Sequence, residues 1–133
     1  MNYEQNEDLP LRINYLIAVR NKVRTIRRCL ESLMREGADQ VFVVDGYSTD
    51  GTSEIIEAFP VVHLYDEGKG DISAARNKGL KACTGEYVVI VDGDHWLSSG
   101  FHERLKKALK ARRYDAVFCR LVWTGRSSLA KAY

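Results

Sequence analysis

The segment GEYVVIVDGDHW, residues 85–96, joins an apolar run to two acidic residues. Tyr87–Val91 is apolar and mostly β-branched, which predicts a strand buried on both faces. Asp92 and Asp94 follow at alternate positions, so an extended chain would point both carboxylates to one side, and Gly93 would let a ligand approach the backbone. Two carboxylates in this arrangement suit a divalent cation that carries phosphates. The alternative for the motif is a strand followed by a polar D-G turn.

The composition indicates one ordered, soluble domain. The 133 residues are 45% hydrophobic, and 20 Lys+Arg against 18 Asp+Glu leave a net charge of +2 with both signs interspersed, which gives no case for a nucleic-acid binder. No apolar run approaches the ~18 residues of a membrane span, and the polar start is no signal peptide. Cys29, Cys83 and Cys119 lack C-x-x-C spacing and are predicted to be small buried hydrophobic residues in a reducing compartment. We therefore expect a cytoplasmic protein.

Strand-like and helix-like segments alternate along residues 12–123, the predicted domain. The hydrophobic pattern predicts strands at 13–19, 41–44, 61–65, 87–91 and 116–123, and helices at about 23–36, 53–59, 72–83 and 101–112. Residues 1–11 are predicted to be a flexible N-terminal arm and residues 124–133 a polar C-terminal tail. The alternation predicts an α/β domain with a mainly parallel sheet and helices on both faces.

Polar residues follow three of these predicted strands. The first strand is followed by Arg20 and Asn21, the second by Asp45, and the fourth by the Asp92–Asp94 motif. Ligands of parallel sheets bind beyond the carboxyl ends of the strands, where the strand order switches. We therefore predict a ligand site at this edge of the sheet.

Three segments together resemble the family 2 glycosyltransferases. VVDGYSTDGT (43–52) resembles their "vvDdgStDgT" segment, AARNKGL (74–80) resembles their "aARNkGl" helix, and GEY with DGD (85–94) resembles their "GeYi.flDaD" strand. The resemblance covers roughly residues 12–123. It implies the Rossmann-like GT-A fold and transfer of a sugar from a nucleotide diphosphate, with inversion at the anomeric carbon. The implied cofactor is Mg²⁺ or Mn²⁺, and the implied donor is a UDP- or GDP-type nucleotide sugar.

The resemblance also implies roles for individual residues. Asp45 would lie against the nucleoside, and the backbone of residues 19–21 would hold the base. Asp92 would lie near the ribose and the metal, Asp94 would ligate the metal that bridges the diphosphate, and Arg76 would lie on the phosphate side. The full nucleotide-binding set is Val19, Arg20, Asn21, Asp45, Arg76, Asp92, Gly93 and Asp94, with Asp92 and Asp94 as the metal ligands.

The chain departs from the family pattern in ways that affect catalysis. Gly46 stands where the family often has a second acid, and the loop after the first strand reads VRNK (19–22) in place of the usual Tyr-Asn form. Family members generally run well past this length, and their later half carries the acceptor site and the catalytic base. The only acid after Glu103 is Asp115, so no catalytic base is assigned. We expect a fold truncated after the donor-binding half, which alone transfers sugar poorly to its unknown acceptor.

Two other functions are compatible with the same motifs. One is a non-catalytic module that binds a nucleotide diphosphate, or a half-enzyme that acts with a partner chain. The other is a phosphatase like the haloacid dehalogenases, but that family places its D-x-D motif after the first strand, and here the motif follows the fourth. Bound nucleotide without donor turnover would distinguish the binding module from an enzyme.

Several polar residues have simpler interpretations than a role in the site. Asp50 is predicted to form a turn and a helix cap, and Ser98 or Ser99 to cap the last helix. His95 adjoins the predicted metal ligands, yet a turn histidine is the simpler interpretation. The basic helix residues Arg24, Arg27, Arg28 and 106–113 are predicted to be solvated faces, with a weak peripheral attraction to anionic membranes as the alternative.

Overall fold

Four parallel strands form one sheet in the order β3-β2-β1-β4. This computed structural model describes residues 10–67, 71–111, 114–119 and 121. The elements are β1 (Ile13–Val19), α1 (Ile26–Arg35), β2 (Gln40–Asp45), α2 (Thr52–Glu57), β3 (Val62–Tyr65), α3 (Ile72–Ala82), β4 (Tyr87–Ile90) and α4 (Phe101–Ala111). The chain winds from β1 outward to β3 and then returns to place β4 on the other side of β1. The strand order therefore switches between β1 and β4, which confirms the predicted α/β class.

Helices cover both faces of the sheet around the central strand β1. Tyr15 and Ile17 pack in the larger core cluster with residues of α1, α2 and α4. Leu16, the residue between them, packs on the other face in a smaller cluster that contains Ala75 of α3. Alternate side chains of a strand point to opposite faces, so a strand covered on both sides is apolar at nearly every position.

The first helix begins later than its apolar pattern predicts. The stripe that starts at Val23 suggested a helix from that residue, but residues 23–25 form a turn and α1 begins at Ile26. The N–H of Val23 instead donates to Asp50 Oδ2 at 3.2 Å. The predicted end at Gly37 is confirmed, because Gly37 has a φ of 71° and the N–H of Ala38 donates back to the carbonyl of Leu33.

Helix α3 lies unusually close to β1 at one glycine. A Cβ atom on Gly79 would stand 2.1 Å from Leu16 Cδ1 and 3.1 Å from Val44 Cγ2. The packing side of α3 is therefore formed by Ala75 and Gly79, both of which are buried. Leu80 does not belong to this packing side, since the residue is 42% exposed.

Helix α4 is capped by a residue from another element. The carboxylate of Glu36, just after α1, accepts hydrogen bonds from the N–H groups of Gly100 at 3.2 Å and His102 at 3.1 Å. The prediction of a Ser98 or Ser99 side-chain cap was wrong, because Ser98 Oγ accepts from the Arg104 guanidinium instead. Desolvation by burial raises the pKa of Glu36, but hydrogen bonds from the backbone of His102, Gly100 and Phe101 outweigh it and leave the pKa below its usual value.

The structure corrects three expectations for the last third of the chain. Strand β4 is only half-buried, and Ile90 is 49% exposed, so this strand is not covered on both faces. The described part of the predicted fifth strand, residues 116–119 and 121, is exposed and forms no strand. Apolar and β-branched residues need a neighbouring strand and a covering layer to form a sheet. Cys119 is exposed and not buried as expected.

Several predicted segments lie wholly or largely outside the described residues. These are most of the N-terminal arm (1–9), residues 120, 122 and 123 of the predicted last strand, and the predicted tail (124–133). Within the part of the chain that the structure describes, no helix combines the length and the apolar character needed to cross a bilayer.

Candidate functional site

The ends of β1, β2 and β4 meet at the carboxyl edge of the sheet, as predicted. Val19 is paired with Asp45 in the parallel register of β1 and β2, and the N–H of Gly46 donates to the carbonyl of Val19 at 2.9 Å. On the other side of β1, the N–H of Val91 donates to the carbonyl of Leu16 at 2.9 Å and aligns the end of β4. The topology therefore places the three polar chain segments side by side.

The loop after β1 is tied to the loop after β2 by side chain–backbone hydrogen bonds. Asn21, which has a φ of 51°, donates its N–H to Ser48 Oγ at 2.9 Å and accepts the N–H of Thr49 on Oδ1 at 2.8 Å. The N–H of Lys22 donates to Thr52 Oγ1 at 2.8 Å. The amide oxygen of Asn21 thus has a structural role, and the exposed side chain of Arg20 packs over Gly46.

Asp50 organises the turn between β2 and α2, which confirms its predicted role as a turn former. Its predicted role as the helix cap was wrong, because the N-cap of α2 is Gly51, which has no side chain to cap the helix. The carboxylate of Asp50 accepts hydrogen bonds from the hydroxyl of Thr52, from the Thr52 N–H at 3.0 Å and from the Val23 N–H at 3.2 Å. The Thr52 hydroxyl is the main reason that the pKa of Asp50 lies below its usual value. The carboxylate is occupied by these protein groups.

Asp45 lies beneath the surface of the site. The residue is 0% exposed, and its Oδ1 accepts hydrogen bonds from the N–H of Ser48 at 2.9 Å and the Ser48 hydroxyl at 2.7 Å. The other oxygen, Oδ2, stands 3.5 Å from Nε2 of His63 on β3. The His63 ring contacts Tyr65 with ring centroids 4.5 Å apart, and Tyr65 in turn lies 5.3 Å from the half-exposed Tyr47. Asp45 therefore supports this loop from below.

The D-x-D motif forms a turn and does not continue β4. The strand ends at Ile90, and the N–H of His95 donates to the carbonyl of Asp92 at 2.9 Å. Gly93 is buried, and a Cβ atom there would stand 3.1 Å from Val19 Cγ2 and 3.6 Å from Lys22 Cγ. The missing side chain of Gly93 thus lets the turn pack against the end of β1. The expectation from the sequence was instead that it would let a ligand approach the backbone.

This turn brings two carboxylates and an imidazole together at the surface. One ligand atom from each of Asp92, Asp94 and His95 can be chosen so that all three lie within 4.8 Å of one another. The Nδ1 atom of His95 is 3.9 Å from Asp92 Oδ2, and its Nε2 atom is 3.8 Å from Asp94 Oδ1. The three side chains are between 40% and 49% exposed, so water and ligands can reach them.

Two cations adjoin this cluster from neighbouring elements. Arg76 on α3 places Nη2 3.0 Å from Asp92 Oδ1, and Lys22 after β1 places Nζ 3.9 Å from Asp94 Oδ2. Asp71 caps α3 by accepting the N–H of Ser73 at 2.9 Å. Arg76 and Asp92, both predicted from the sequence as site residues, are in direct contact. Positive and negative side chains therefore lie together at the switch point between β1 and β4.

The donor set fits a divalent cation. Carboxylate oxygens are ligands of Mg²⁺ and Mn²⁺, and an imidazole nitrogen is a common ligand of first-row transition metals. Ligand atoms around an octahedral ion with bonds of about 2.1 Å stand ~3 Å apart when adjacent and ~4 Å apart when opposite. One ligand atom from each of Asp92, Asp94 and His95 lies within 4.8 Å of the other two, so these atoms would move closer together by side-chain rotation to share one ion.

Sequence reasoning missed three residues of this region. His63 and Lys22 reach Asp45 and Asp94 from other elements, and nothing in their local sequence, the VRNK loop included, indicates these contacts. His95 was interpreted as a turn residue, and its N–H does close the turn at Asp92; its side chain in addition joins the cluster, as its position next to the D-x-D motif could have indicated. Among the predicted residues, Arg76, Asp92 and Asp94 come together at one surface, whereas Asp45 lies below a separate loop.

Comparison with known proteins shows the family of this chain. Residues 15–132 match the sequence profile of the family described as "Glycosyl transferase family 2". The chain belongs to this family. The family resemblance of the three motifs is thereby confirmed.

Individual relatives of this family 2 chain include much longer proteins. The SPbeta prophage-derived glycosyltransferase SunS of Bacillus subtilis is 32% identical over 105 residues, which cover 77% of this chain and 25% of SunS. The glycosyltransferase GlyA of Streptococcus pneumoniae is 32% identical over 111 residues, which cover 78% of this chain and 16% of GlyA. The chain therefore spans about a quarter or less of the length of these two curated relatives.

Solved structures support the GT-A fold. Staphylococcus aureus TarS superposes with a TM-score of 0.70 at 24% identity, and the match covers 76% of this chain and 20% of the TarS chain. The glucosyl-3-phosphoglycerate synthase of Mycobacterium tuberculosis, solved with Mn²⁺, uridine diphosphate and glucosyl-3-phosphoglycerate, superposes with a TM-score of 0.54 at 22% identity over 62% of this chain and 33% of its own. These likenesses show the fold.

Proposed function

We propose that this chain forms the donor-binding part of a family 2 glycosyltransferase and binds a nucleotide diphosphate sugar together with a divalent cation. One observation carries the proposal: Asp92, Asp94 and His95 cluster at the switch point between β1 and β4, with Arg76 in contact with Asp92. Parallel sheets bind their ligands at this position. The related M. tuberculosis enzyme was solved with Mn²⁺ and uridine diphosphate, which supports the same ligand class here.

The phosphate side of the proposed site consists of Asp94, Asp92 and Arg76. Asp94 is 49% exposed and would ligate the cation that bridges the diphosphate, with Asp92 beside it. Arg76 would neutralise part of the charge of Asp92 and face the phosphates, because its guanidinium already lies at this edge. Gly93 contributes indirectly, since its packing against Val19 fixes the turn that carries both acids.

The nucleoside side of the proposed site is the pair of tied loops after β1 and β2. Asn21 and Asp45 use their side-chain oxygens for internal hydrogen bonds to residues 48 and 49. We therefore assign them a positioning role, and the exposed Arg20 and the backbone of residues 19–21 a direct one. Tyr47 is 50% exposed on the same loop and offers an aromatic surface to a base.

Breaking the sugar–phosphate bond leaves negative charge on the departing diphosphate. A bound divalent cation would neutralise this charge without a proton transfer. In this chain, Arg76 and Lys22 add positive charge at the same edge. The acceptor and the catalytic base are not assigned, and we expect the 133-residue chain alone to turn over donors slowly, because a positioned base contributes ~10²–10⁴-fold.

A thermal-shift panel tests the proposal. The chain is heated with UMP, UDP, GDP, UDP-glucose or GDP-mannose, each with and without Mn²⁺. A diphosphate at about 100 times its Kd should stabilise the fold by about 2.7 kcal/mol, and the effect should require Mn²⁺. UMP is the matched control because it lacks the second phosphate. Equal shifts for UMP and UDP, or no shift with any diphosphate, would contradict the proposal.

A further inference from the structure

We propose that His95 is a third protein ligand of the cation at the Asp92–Asp94 turn, and that its nitrogen makes the site prefer Mn²⁺ or Co²⁺ to Mg²⁺. The proposal rests on the proposed function, because it concerns the cation expected to carry the nucleotide diphosphate. It assigns a ligand beyond the two carboxylates of the motif.

The position of the ring between the two acids is the first argument. Its Nδ1 faces Asp92 Oδ2 at 3.9 Å and its Nε2 faces Asp94 Oδ1 at 3.8 Å. Hydrogen bonds between nitrogen and oxygen span about 2.7–3.2 Å, so neither separation is a hydrogen bond. The two separations involve different ring nitrogens, and only one of them can ligate a given ion. One nitrogen of the ring and one oxygen from each acid nevertheless lie within 4.8 Å of one another, so a rotation of these exposed side chains could bring all three onto one ion.

The backbone around His95 is held in place on both sides, which is the second argument. The N–H of His95 donates to the carbonyl of Asp92 at 2.9 Å and closes the turn. The next residue, Trp96, stacks under the Arg28 guanidinium at 3.6 Å, and the N–H of Leu97 donates to the buried Ser32 Oγ at 3.0 Å. The imidazole therefore needs only a side-chain rotation to bind an ion, and little backbone ordering remains to oppose binding.

The ligand chemistry gives the metal preference. Mg²⁺ binds oxygen ligands and keeps several of its waters, whereas imidazole nitrogen suits transition metals. Affinity of a mixed nitrogen and oxygen site rises from Mn²⁺ to Co²⁺ along the Irving–Williams order. Two carboxylates alone would discriminate less strongly against Mg²⁺, so His95 is the residue that strengthens the preference.

Spectroscopy of bound Mn²⁺ tests whether the nitrogen is a ligand. Pulsed electron paramagnetic resonance of the wild-type chain with Mn²⁺ alone, and with Mn²⁺ and UDP, should show coupling to a ¹⁴N nucleus. The coupling should be absent in His95→Asn. Bound Mn²⁺ without nitrogen coupling in the wild-type chain would overturn the proposal, whatever the variants do.

Metal affinities test the preference. The loss of the paramagnetic resonance signal of free Mn²⁺ on binding gives the Mn²⁺ affinity. Competition by Mg²⁺ then gives the ratio of the Mn²⁺ and Mg²⁺ affinities. His95→Asn should weaken Mn²⁺ binding at least ~10-fold, since even the loss of groups that only orient ligands costs ~10–100-fold. His95→Asp should retain cation binding but lose most of the Mn²⁺ preference. An Mn²⁺/Mg²⁺ affinity ratio that is unchanged in both His95→Asn and His95→Asp would overturn the proposal. Glu54→Gln, which changes an exposed acid of α2, is the control for nonspecific binding.

The result can be separated from the proposed function. Nitrogen coupling with Mn²⁺ alone, without any UDP binding, would support His95 as a metal ligand and contradict the proposed nucleotide site. Mn²⁺-dependent UDP binding without nitrogen coupling would support the nucleotide site and overturn the role of His95.

Discussion

Replacing Gly79 by alanine tests the packing that positions Arg76 over the site. The new Cβ would stand 2.1 Å from Leu16 Cδ1 and 3.1 Å from both Leu16 Cδ2 and Val44 Cγ2. Leu16 and Val44 are both 0% exposed, so neither side chain can relieve the clash by turning into solvent. Overpacking of this kind costs about 1–3 kcal/mol, and the better helix propensity of alanine returns at most ~1 kcal/mol. Because the 2.1 Å approach lies far inside van der Waals contact, we take the upper part of this range, about 2–3 kcal/mol, and expect a net loss of about 1–2 kcal/mol.

Urea unfolding measures this loss directly. With a slope of ~2 kcal/mol/M, the midpoint of Gly79→Ala should fall by about 0.5–1 M. Asn77→Ala, at an exposed position of the same helix, is the matched control and should be neutral or slightly stabilising. The variant should also bind UDP with Mn²⁺ more weakly, because a shift of α3 moves Arg76 away from Asp92. An unchanged or higher midpoint for Gly79→Ala would refute the close-approach reasoning.

Three further predictions concern the cap of α4, the support of Asp45 and donor turnover. Glu36→Ala should lower stability at pH 7 by about 1 kcal/mol through loss of the α4 cap. The folded pKa of Glu36 is depressed, so the cap stabilises the fold above the unfolded pKa of ~4.3 and weakens as the pH falls. The difference in unfolding free energy between the wild type and Glu36→Ala should therefore shrink near pH 3. A difference that stays constant with pH would contradict this prediction. Asp45→Asn and the milder Ser48→Ala should both weaken binding of uridine or guanosine as well as of the diphosphate in calorimetry, and a loss confined to phosphate-bearing ligands would argue against the nucleoside role. Donor turnover by the 133-residue chain should be slow, and an ordinary rate that is lost in Asp115→Asn would place the catalytic base on Asp115.

The sequence pattern predicted the parallel sheet and the site edge because both depend on local signals. Apolar runs such as Tyr87–Val91 and the acids that follow them are readable one segment at a time. The motif acids were expected to converge by strand alternation, and they do converge, but through a turn closed by the His95 N–H. Strand β4 ends at Ile90 because the chain then turns inward to bury Val91 and Gly93 against β1 and α1.

Contacts between distant segments could not be predicted from the sequence. Asp45 was predicted beside a nucleoside, and its burial between His63 of β3 and Ser48 had no signal in the local sequence. Glu36 caps α4 across 66 residues of chain, whereas the adjacent serines carried the local capping signal. The described part of the predicted fifth strand has strand-forming residues but pairs with none of the four described strands, and Phe118 is 98% exposed. Propensity alone does not supply a pairing partner.

Calorimetry of UDP binding to Asp94→Asn tests the central claim most directly. Asp94 lies in an exposed turn and is 49% exposed, so the substitution should leave the unfolding midpoint nearly unchanged. The control is Glu54→Gln, which removes an exposed carboxylate of α2. If Asp94 ligates a cation shared with the diphosphate, the Mn²⁺-dependent affinity for UDP should fall at least ~10-fold in Asp94→Asn and stay unchanged in Glu54→Gln. Equal UDP affinity in the wild type and Asp94→Asn, both measured with Mn²⁺, would contradict the claim that this cluster binds a metal and a nucleotide diphosphate together.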